Sequence, residues 1–120
     1  MAEHDCIFCK IAAGTIPSKK VYEDEYFYAF HDINPAAPVH VLVIPRRHIE
    51  TLSACGAEDA DLVGRMMVLL PRIADQLGVG YTGGDTGYRA VINVGPGGGQ
   101  EVYHLHAHIL AGARPWRRMG

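Results

Sequence analysis

The chain has no long hydrophobic run: nothing in it approaches the roughly 20 apolar residues a bilayer-spanning helix requires. It also lacks a strong charge of one sign, with a formal net charge of −2 over 120 residues. Its one basic cluster, Arg114, Arg117 and Arg118, is too small to carry non-specific phosphate binding. Neither a membrane nor nucleic acid is therefore expected as a main partner. Cysteine is scarce and odd in number, with Cys6, Cys9 and Cys55, which argues against a disulfide framework and suits a reducing compartment. The first five residues, Met1 to Asp5, have neither the basic nor the apolar region of a secretion signal, so a cytoplasmic location is expected. Repeats, a Walker-type lysine and a dinucleotide-binding glycine fingerprint are missing as well.

What is present suits one small domain over residues 1–120, of a size that gains from dimerising. Cys6 to Ile11 reads as an apolar turn or short helix closed by Gly14 and Pro17. Val21-Tyr22 and Tyr26 to His31 read as strands joined by Glu23-Asp24-Glu25, with Tyr26, Tyr28, Phe30 and Asp32 on one face. After the proline loop 34–38, Val39 to Pro45 is β-branched and apolar on both faces, an interior strand in which His40 stands out. From Ala57 to Leu77 the period becomes helical, with Val63, Met66, Leu70, Ile73 and Leu77 on one stripe. Pro71 predicts a kink or a division into two segments. Gly78 to Gly87 is a glycine-rich loop, and Tyr88 to Val94 a further strand with Arg89, Val91 and Asn93 on one face. The architecture expected is α+β: a five-stranded antiparallel sheet, one long helix and a short N-terminal helix.

The chemistry concentrates in Tyr103 to Leu110. Read as a strand, this stretch places His104, His106 and His108 on one face and Tyr103, Leu105, Ala107 and Ile109 on the other. Three imidazoles in that pattern serve either as a metal site or as a nucleophilic centre acting at phosphorus. Gly98-Gly99-Gln100, leading into the stretch, suits an anion cradle, because residues without Cβ let backbone N–H groups approach closely.

His104-Leu105-His106-Ala107-His108-Ile109-Leu110 resembles the His-x-His-x-His signature of the histidine triad (HIT) family. Phe30 to Pro35, Pro38 to Pro45, Arg47-His48-Ile49 and Gly98 to Tyr103 are similar to that family's other blocks, in order. The resemblance extends over nearly the whole chain and is greatest to the homodimeric purine nucleoside phosphoramidate hydrolases. It implies a HIT-like fold and hydrolysis of the P–N bond through a transient nucleotidyl-histidine on His106, without a catalytic cofactor. His108 and His40 would orient and polarise the phosphate or assist the leaving amine. Asp32 would accept hydrogen bonds from ribose hydroxyls. Phe30, Ile33, Leu42, Ile7, Phe8 and Ile11 would line the purine pocket, and Asn93, Gly99 and Glu101 the phosphate and leaving group. Phe8, Ile11 and Leu42 serve equally well as plain core.

Glu101 departs from relatives that carry a small hydroxyl residue there; its carboxylate would favour basic amine leaving groups over acidic ones. Cys6-x-x-Cys9 has metal-ligand spacing. The resemblance supplies His48 and His104 as the other ligands of a structural zinc, which would turn His104 away from the phosphate. The segment Ala113-Arg114-Pro115-Trp116 would cross to the partner subunit of a homodimer. Rival readings are a dinucleoside polyphosphate hydrolase or nucleotidyl transferase, a non-catalytic nucleotide-binding module, and a protein whose three histidines bind a catalytic ion.

Overall fold

A computed structural model describes residues 5–112; the expectation for Ala113 to Trp116 lies outside them. The element order is α1 (Ile7–Ala12), β1 (Lys20–Glu23), β2 (Phe27–His31), β3 (Val39–Pro45), α2 (Ala60–Gln76), β4 (Arg89–Val91) and β5 (Ala107–Ala111). The strands form one antiparallel sheet in the order β1-β2-β3-β5-β4, so the Val39–Pro45 strand is central, as its two apolar faces require.

Strand alternation divides the apolar residues between two cores. Phe27, Ala29, Val41, Val43, Ala107 and Ile109 pack with Met66, Leu69, Leu70 and Ile73 of α2. Tyr28, Phe30, Leu42 and Ile44 point the opposite way and pack with Phe8, Ile11 and Ala12 of α1. The chemistry lies on this second face, where α1 is too short to cover the whole sheet.

Local chemistry sets the element ends. Asp24 turns β1 into β2 by accepting hydrogen bonds from the N–H groups of Tyr26 and Phe27 at 2.8 and 2.7 Å. Cys6 caps α1, its Sγ accepting from the Cys9 N–H at 3.4 Å. A short 3-10 turn, Ala57–Asp59, leads into α2, and the Asp59 carboxylate accepts from Gly56 N–H at 2.9 Å while pairing with Arg47. The Gly56 N–H then holds the Asp59 carboxyl below its ordinary value, with Arg47 adding to the effect.

Three expectations need correction. The long helix is one continuous element through Pro71, which corrects the alternative of two segments. Pro71 lies on the exposed side with Met67, whose carbonyl loses its helical partner and can be solvated, while Ile73 and Ala74 remain in the core. Tyr26 precedes β2 and leaves the face shared by Tyr28 and Phe30, since its ring stacks under the guanidinium of Arg65 at 5.5 Å. The strand expected over Tyr88 to Val94 contains only Arg89–Val91, so Asn93 lies in the loop beyond it.

Candidate functional site

The histidine stretch is only partly a strand. β5 begins at Ala107, so His104 and His106 precede the ladder and His108 alone stands on it, paired opposite Leu42. The alternation nevertheless persists in burial: Leu105 joins the α2 core while His104 and His106 turn to the other side. Leu105 is anchored outside the sheet by its N–H to the Ile49 carbonyl at 2.6 Å.

Backbone partners then assign each ring nitrogen. His106 Nδ1 lies 2.7 Å from the His104 carbonyl; a carbonyl only accepts, so Nδ1 carries the proton and Nε2 keeps its lone pair. Phe8 meets the His106 ring edge-on at 5.1 Å. In His40 the reverse holds: Nδ1 accepts the N–H of Ala36 at 2.9 Å, which leaves the proton on Nε2. That Nε2–H donates to His108 Nδ1 at 2.9 Å, and Asp32 Oδ2 lies 3.5 Å away. His108, with its Nδ1 lone pair engaged, carries its own proton on Nε2.

The site thus presents two unlike histidines, an imidazole lone pair on His106 and an N–H on His108, their ring centres 5.0 Å apart. Burial disfavours the cation in His40, in His106 and in His108. In His108, burial and the neighbouring His106 and His40 lower the value to about 4. Near pH 7 all three rings are neutral, as the hydrogen-bond chain requires.

A pH effect on stability follows. His108 unfolded binds its proton near the ordinary value of 6.5, whereas folded it does so only at about 4. The unfolded state therefore holds more protons between these values, so stability is complete above about 6.5 and is lost as pH falls towards 4. Asp24 and Asp59, whose values are lowered, lose their contribution only below that window. Calorimetry should give a flat Tm above pH 7 and a decline between 6.5 and 4. His108→Asn should make that decline shallower.

His104 turns away from the other two. Its Nε2–H donates to the Pro45 carbonyl at 2.7 Å, leaving Nδ1 as a lone pair among Cys6 Sγ at 3.3 Å, Cys9 Sγ at 3.5 Å and His48 Nδ1 at 3.3 Å. Cys9 Sγ also lies 3.4 Å from His48 Nδ1. In a tetrahedral zinc site with bonds of about 2.0 Å to nitrogen and 2.3 Å to sulfur, neighbouring ligand atoms stand roughly 3.3–3.8 Å apart. These four separations fall in that range, and all four ligand atoms lie within 4.8 Å of one another. The cluster can therefore coordinate a metal ion. Among the described residues, His48 Nε2 is buried with no hydrogen-bond partner.

Asp32, His40 and His108 also converge. Neutral His40 has no lone pair to give there, since Ala36 takes the one on Nδ1 and Nε2 is protonated. This group works as a hydrogen-bond chain.

The remaining candidates divide. Phe30, Leu42, Phe8 and Ile11 are buried together in the second core. Ile33 is 90% exposed and Ile7 44% exposed, apolar surfaces that a flat ligand could cover. Asp32, Ile33 and His40 line a cleft of about 410 Å³ with Lys19, His31, Pro35 and Pro38. Asn93 and Gly99 meet, the Asn93 amide donating to the Gly99 carbonyl at 3.4 Å, and Gly99 has the positive φ of 82° that glycine accepts without strain. Glu101 is exposed.

The backbone N–H groups of Gly98, Gly99 and Gln100 donate within the loop, to the carbonyls of Gly95, Pro96 and Gly95 at 3.1, 3.1 and 3.0 Å, which corrects the expectation of an anion cradle there. Gln100, named with that cradle, and Ala36, outside the expected set, support the site. Gln100 is buried; its Oε1 accepts from Gly95 N–H at 2.9 Å, and its Nε2 donates to the Glu50 and Val102 carbonyls at 2.8 and 3.0 Å. It ties the glycine loop to both segments that lead to histidines. A polar amide directly after a glycine run was a usable signal. Ala36 had none, because it acts through its backbone.

The HIT domain model matches residues 13–114. The chain is 49% identical over 106 residues to Protein HitA of Neisseria gonorrhoeae, covering 88% of this chain and 94% of that one. It is 45% identical over 112 residues to the purine nucleoside phosphoramidase of Escherichia coli K12, covering 93% and 90%. Among solved structures, a histidine triad protein from Clostridium difficile superposes with a TM-score of 0.88 at 46% identity, covering 99% of this chain and 100% of that one. A HIT family hydrolase from Legionella pneumophila gives 0.85 at 44% identity, covering 92% and 95%.

Proposed function

The chain belongs to the HIT domain family, and on that premise we propose that it hydrolyses purine nucleoside 5′-phosphoramidates at the P–N bond, residues 1–120 acting as one HIT domain. One observation carries the reading: the His104 carbonyl holds the proton of His106 on Nδ1, so a neutral Nε2 lone pair is available for attack. The names of a phosphoramidase and a HIT family hydrolase among the relatives point the same way.

In the first step the His106 Nε2 lone pair forms a bond to the α-phosphorus, and the P–N bond to the leaving amine breaks. The electron pair departs with the amine, which takes a proton from solvent. The positive charge on the phosphorylated ring is shared with Nδ1–H, whose hydrogen bond the His104 carbonyl accepts and so stabilises. Water then attacks the phosphorus, the lone pair returns to His106, and a proton is released. His108 Nε2–H offers a hydrogen bond to a phosphoryl oxygen throughout, a stabiliser of developing charge. Asp32 is assigned to the ribose hydroxyls, the exposed Ile33 and Ile7 with Phe30, Leu42, Phe8 and Ile11 to the purine, and Asn93, Gly99 and Glu101 to the phosphate and leaving group.

Zinc is assigned to Cys6, Cys9, His48 and His104, all four ligands being protein groups, a closed structural site. When bound, it ties α1, which carries Phe8, to the segment that positions His106. A homodimer and a cytoplasmic location belong to the same reading; none of the described helices is long and apolar enough to cross a membrane.

Turnover of an adenosine 5′-phosphoramidate with a primary amine leaving group is the direct test, followed by release of nucleoside monophosphate and amine. Hydrolysis of dinucleoside polyphosphates at a higher kcat/KM would replace the reading with its nearest rival.

A further inference from the structure

Building on this hydrolase reading, we propose that the backbone N–H of Ala36 is a positioning group that sets the tautomers of His40 and His108 and so directs a hydrogen-bond donor of His108 at the phosphoryl group. The chain runs in one direction: Ala36 N–H to His40 Nδ1 at 2.9 Å, then His40 Nε2–H to His108 Nδ1 at 2.9 Å, leaving the His108 proton on Nε2. Imidazole alone has no strong preference between its two neutral forms, so the first donor decides the second ring as well as the first.

Both ends oppose reversal. A proton moved to His40 Nδ1 would face the Ala36 N–H across 2.9 Å, donor against donor. His40 Nε2 would then turn a lone pair towards Asp32 Oδ2, 3.5 Å away. A reversed chain would also leave His108 Nε2 with a lone pair, which repels an anionic phosphoryl oxygen where the present tautomer attracts it.

The loop that holds Ala36 is built to stay in place. Asp32 N–H donates to the His40 carbonyl at 2.9 Å and closes the base of the loop, and Asn34 N–H donates to Asp32 Oδ1 at 2.8 Å. Pro35 and Pro38 fix two φ angles on either side of Ala36. Gly112 packs so closely under Pro38 that an added Cβ would lie 2.6 Å from its Cβ. The Ala36 methyl is exposed and takes no part, so side-chain replacement there is silent. Only removal of the N–H tests the role.

The ¹⁵N resonances of the histidine rings in the intact protein read the tautomers directly. His40 and His108 should each show an unprotonated Nδ1 and a protonated Nε2. Ala36→Pro removes the donor and should mix the tautomers of both rings, with kcat for the phosphoramidate falling at least tenfold and KM changing less than threefold. Ala36→Gly keeps the donor and should stay within twofold of the parent. If Ala36→Pro does not fold, replacing the residue 36 amide by an ester removes the same N–H without a ring and should give the same losses. A proton on His40 Nδ1 in the parent protein overturns the proposal. So does a donor-deleted protein that retains its kcat, or one that loses kcat with both tautomers intact. A parent with the assigned tautomers but no phosphoramidate turnover supports the tautomer lock and overturns the hydrolase reading alone.

Discussion

Replacing His106 by alanine is expected to lower phosphoramidate turnover at least about a thousandfold while nucleoside monophosphate still binds, because the variant lacks the atom to which the proposed covalent bond to phosphorus is assigned. No neighbour can substitute. His108 carries its proton on Nε2 and has its Nδ1 lone pair engaged by His40, and the His104 lone pair faces Cys6 and Cys9. The loss should fall on kcat, since the groups assigned to base, ribose and phosphate are untouched. His106 is buried against Phe8, so the truncation leaves a small void that costs on the order of 1–3 kcal/mol, and Tm should show the variant still folded. Rapid quenching of the parent protein should trap phosphorus on one histidine, and peptide mapping should place it at residue 106. Turnover within tenfold of the parent in His106→Ala would remove the covalent route.

The regular parts of the fold were legible because one requirement governs them at a time. In Val39–Pro45 the alternation shows both faces covered, and β3 is the central strand with Val41 and Val43 in one core and Leu42 and Ile44 in the other. The α2 stripe was legible for the same reason at Met66, Leu70, Ile73 and Leu77, though Leu62 and not Val63 packs on the core, and Pro71 leaves the helix undivided because the carbonyl it frees lies on the exposed side. In the histidine stretch two requirements compete. Period two correctly indicates that Leu105, Ala107 and Ile109 enter one core, yet the ladder stops at Ala107. Upstream of it the backbone serves the site: the Leu105 N–H goes to Ile49, and the His104 carbonyl goes to His106 Nδ1. Side-chain patterns carry no mark of where backbone donors and acceptors are used, which is also why Ala36 was silent. The gathering of Cys6, Cys9, His48 and His104 came from the resemblance, because ligands separated by up to 98 positions leave no local signal.

Those four residues set the second large effect. Protein purified without chelator should contain about one zinc per chain, and the double variant Cys6→Ser, Cys9→Ser should contain none and melt at least about 10 °C lower. Without a metal ion the cluster rests on contacts of 3.3–3.5 Å among the two thiols and the two imidazole Nδ1 atoms. His104 Nδ1 is committed to a lone pair by the Pro45 carbonyl, and His48 Nδ1 faces it at 3.3 Å, so at most one proton can bridge them. A cation among the four would replace these contacts with four coordination bonds. Structural zinc contributes on the order of 10 kcal/mol in small domains that are unfolded without it. In this chain two apolar cores also contribute to folding, so only a fraction of that is expected from the metal, about 3 kcal/mol. For a domain of this size each kcal/mol moves Tm by about 3–5 °C. Cys55 supplies the control: it packs at the edge of the α2 core, away from the four ligands, with its Sγ–H directed at the Thr51 carbonyl at 3.8 Å, so Cys55→Ser should keep the metal and lower Tm far less than the double variant. The loss should reach the catalytic face as well, because the His104 carbonyl orients His106 and Phe8 lies between the two cysteines in sequence. The His106 ring resonances should therefore broaden or divide in the double variant. A metal-free parent whose Tm matches that of the double variant would reduce Cys6 and Cys9 to a thiol pair and leave His104 as a hydrogen-bonded strut between Pro45 and His106.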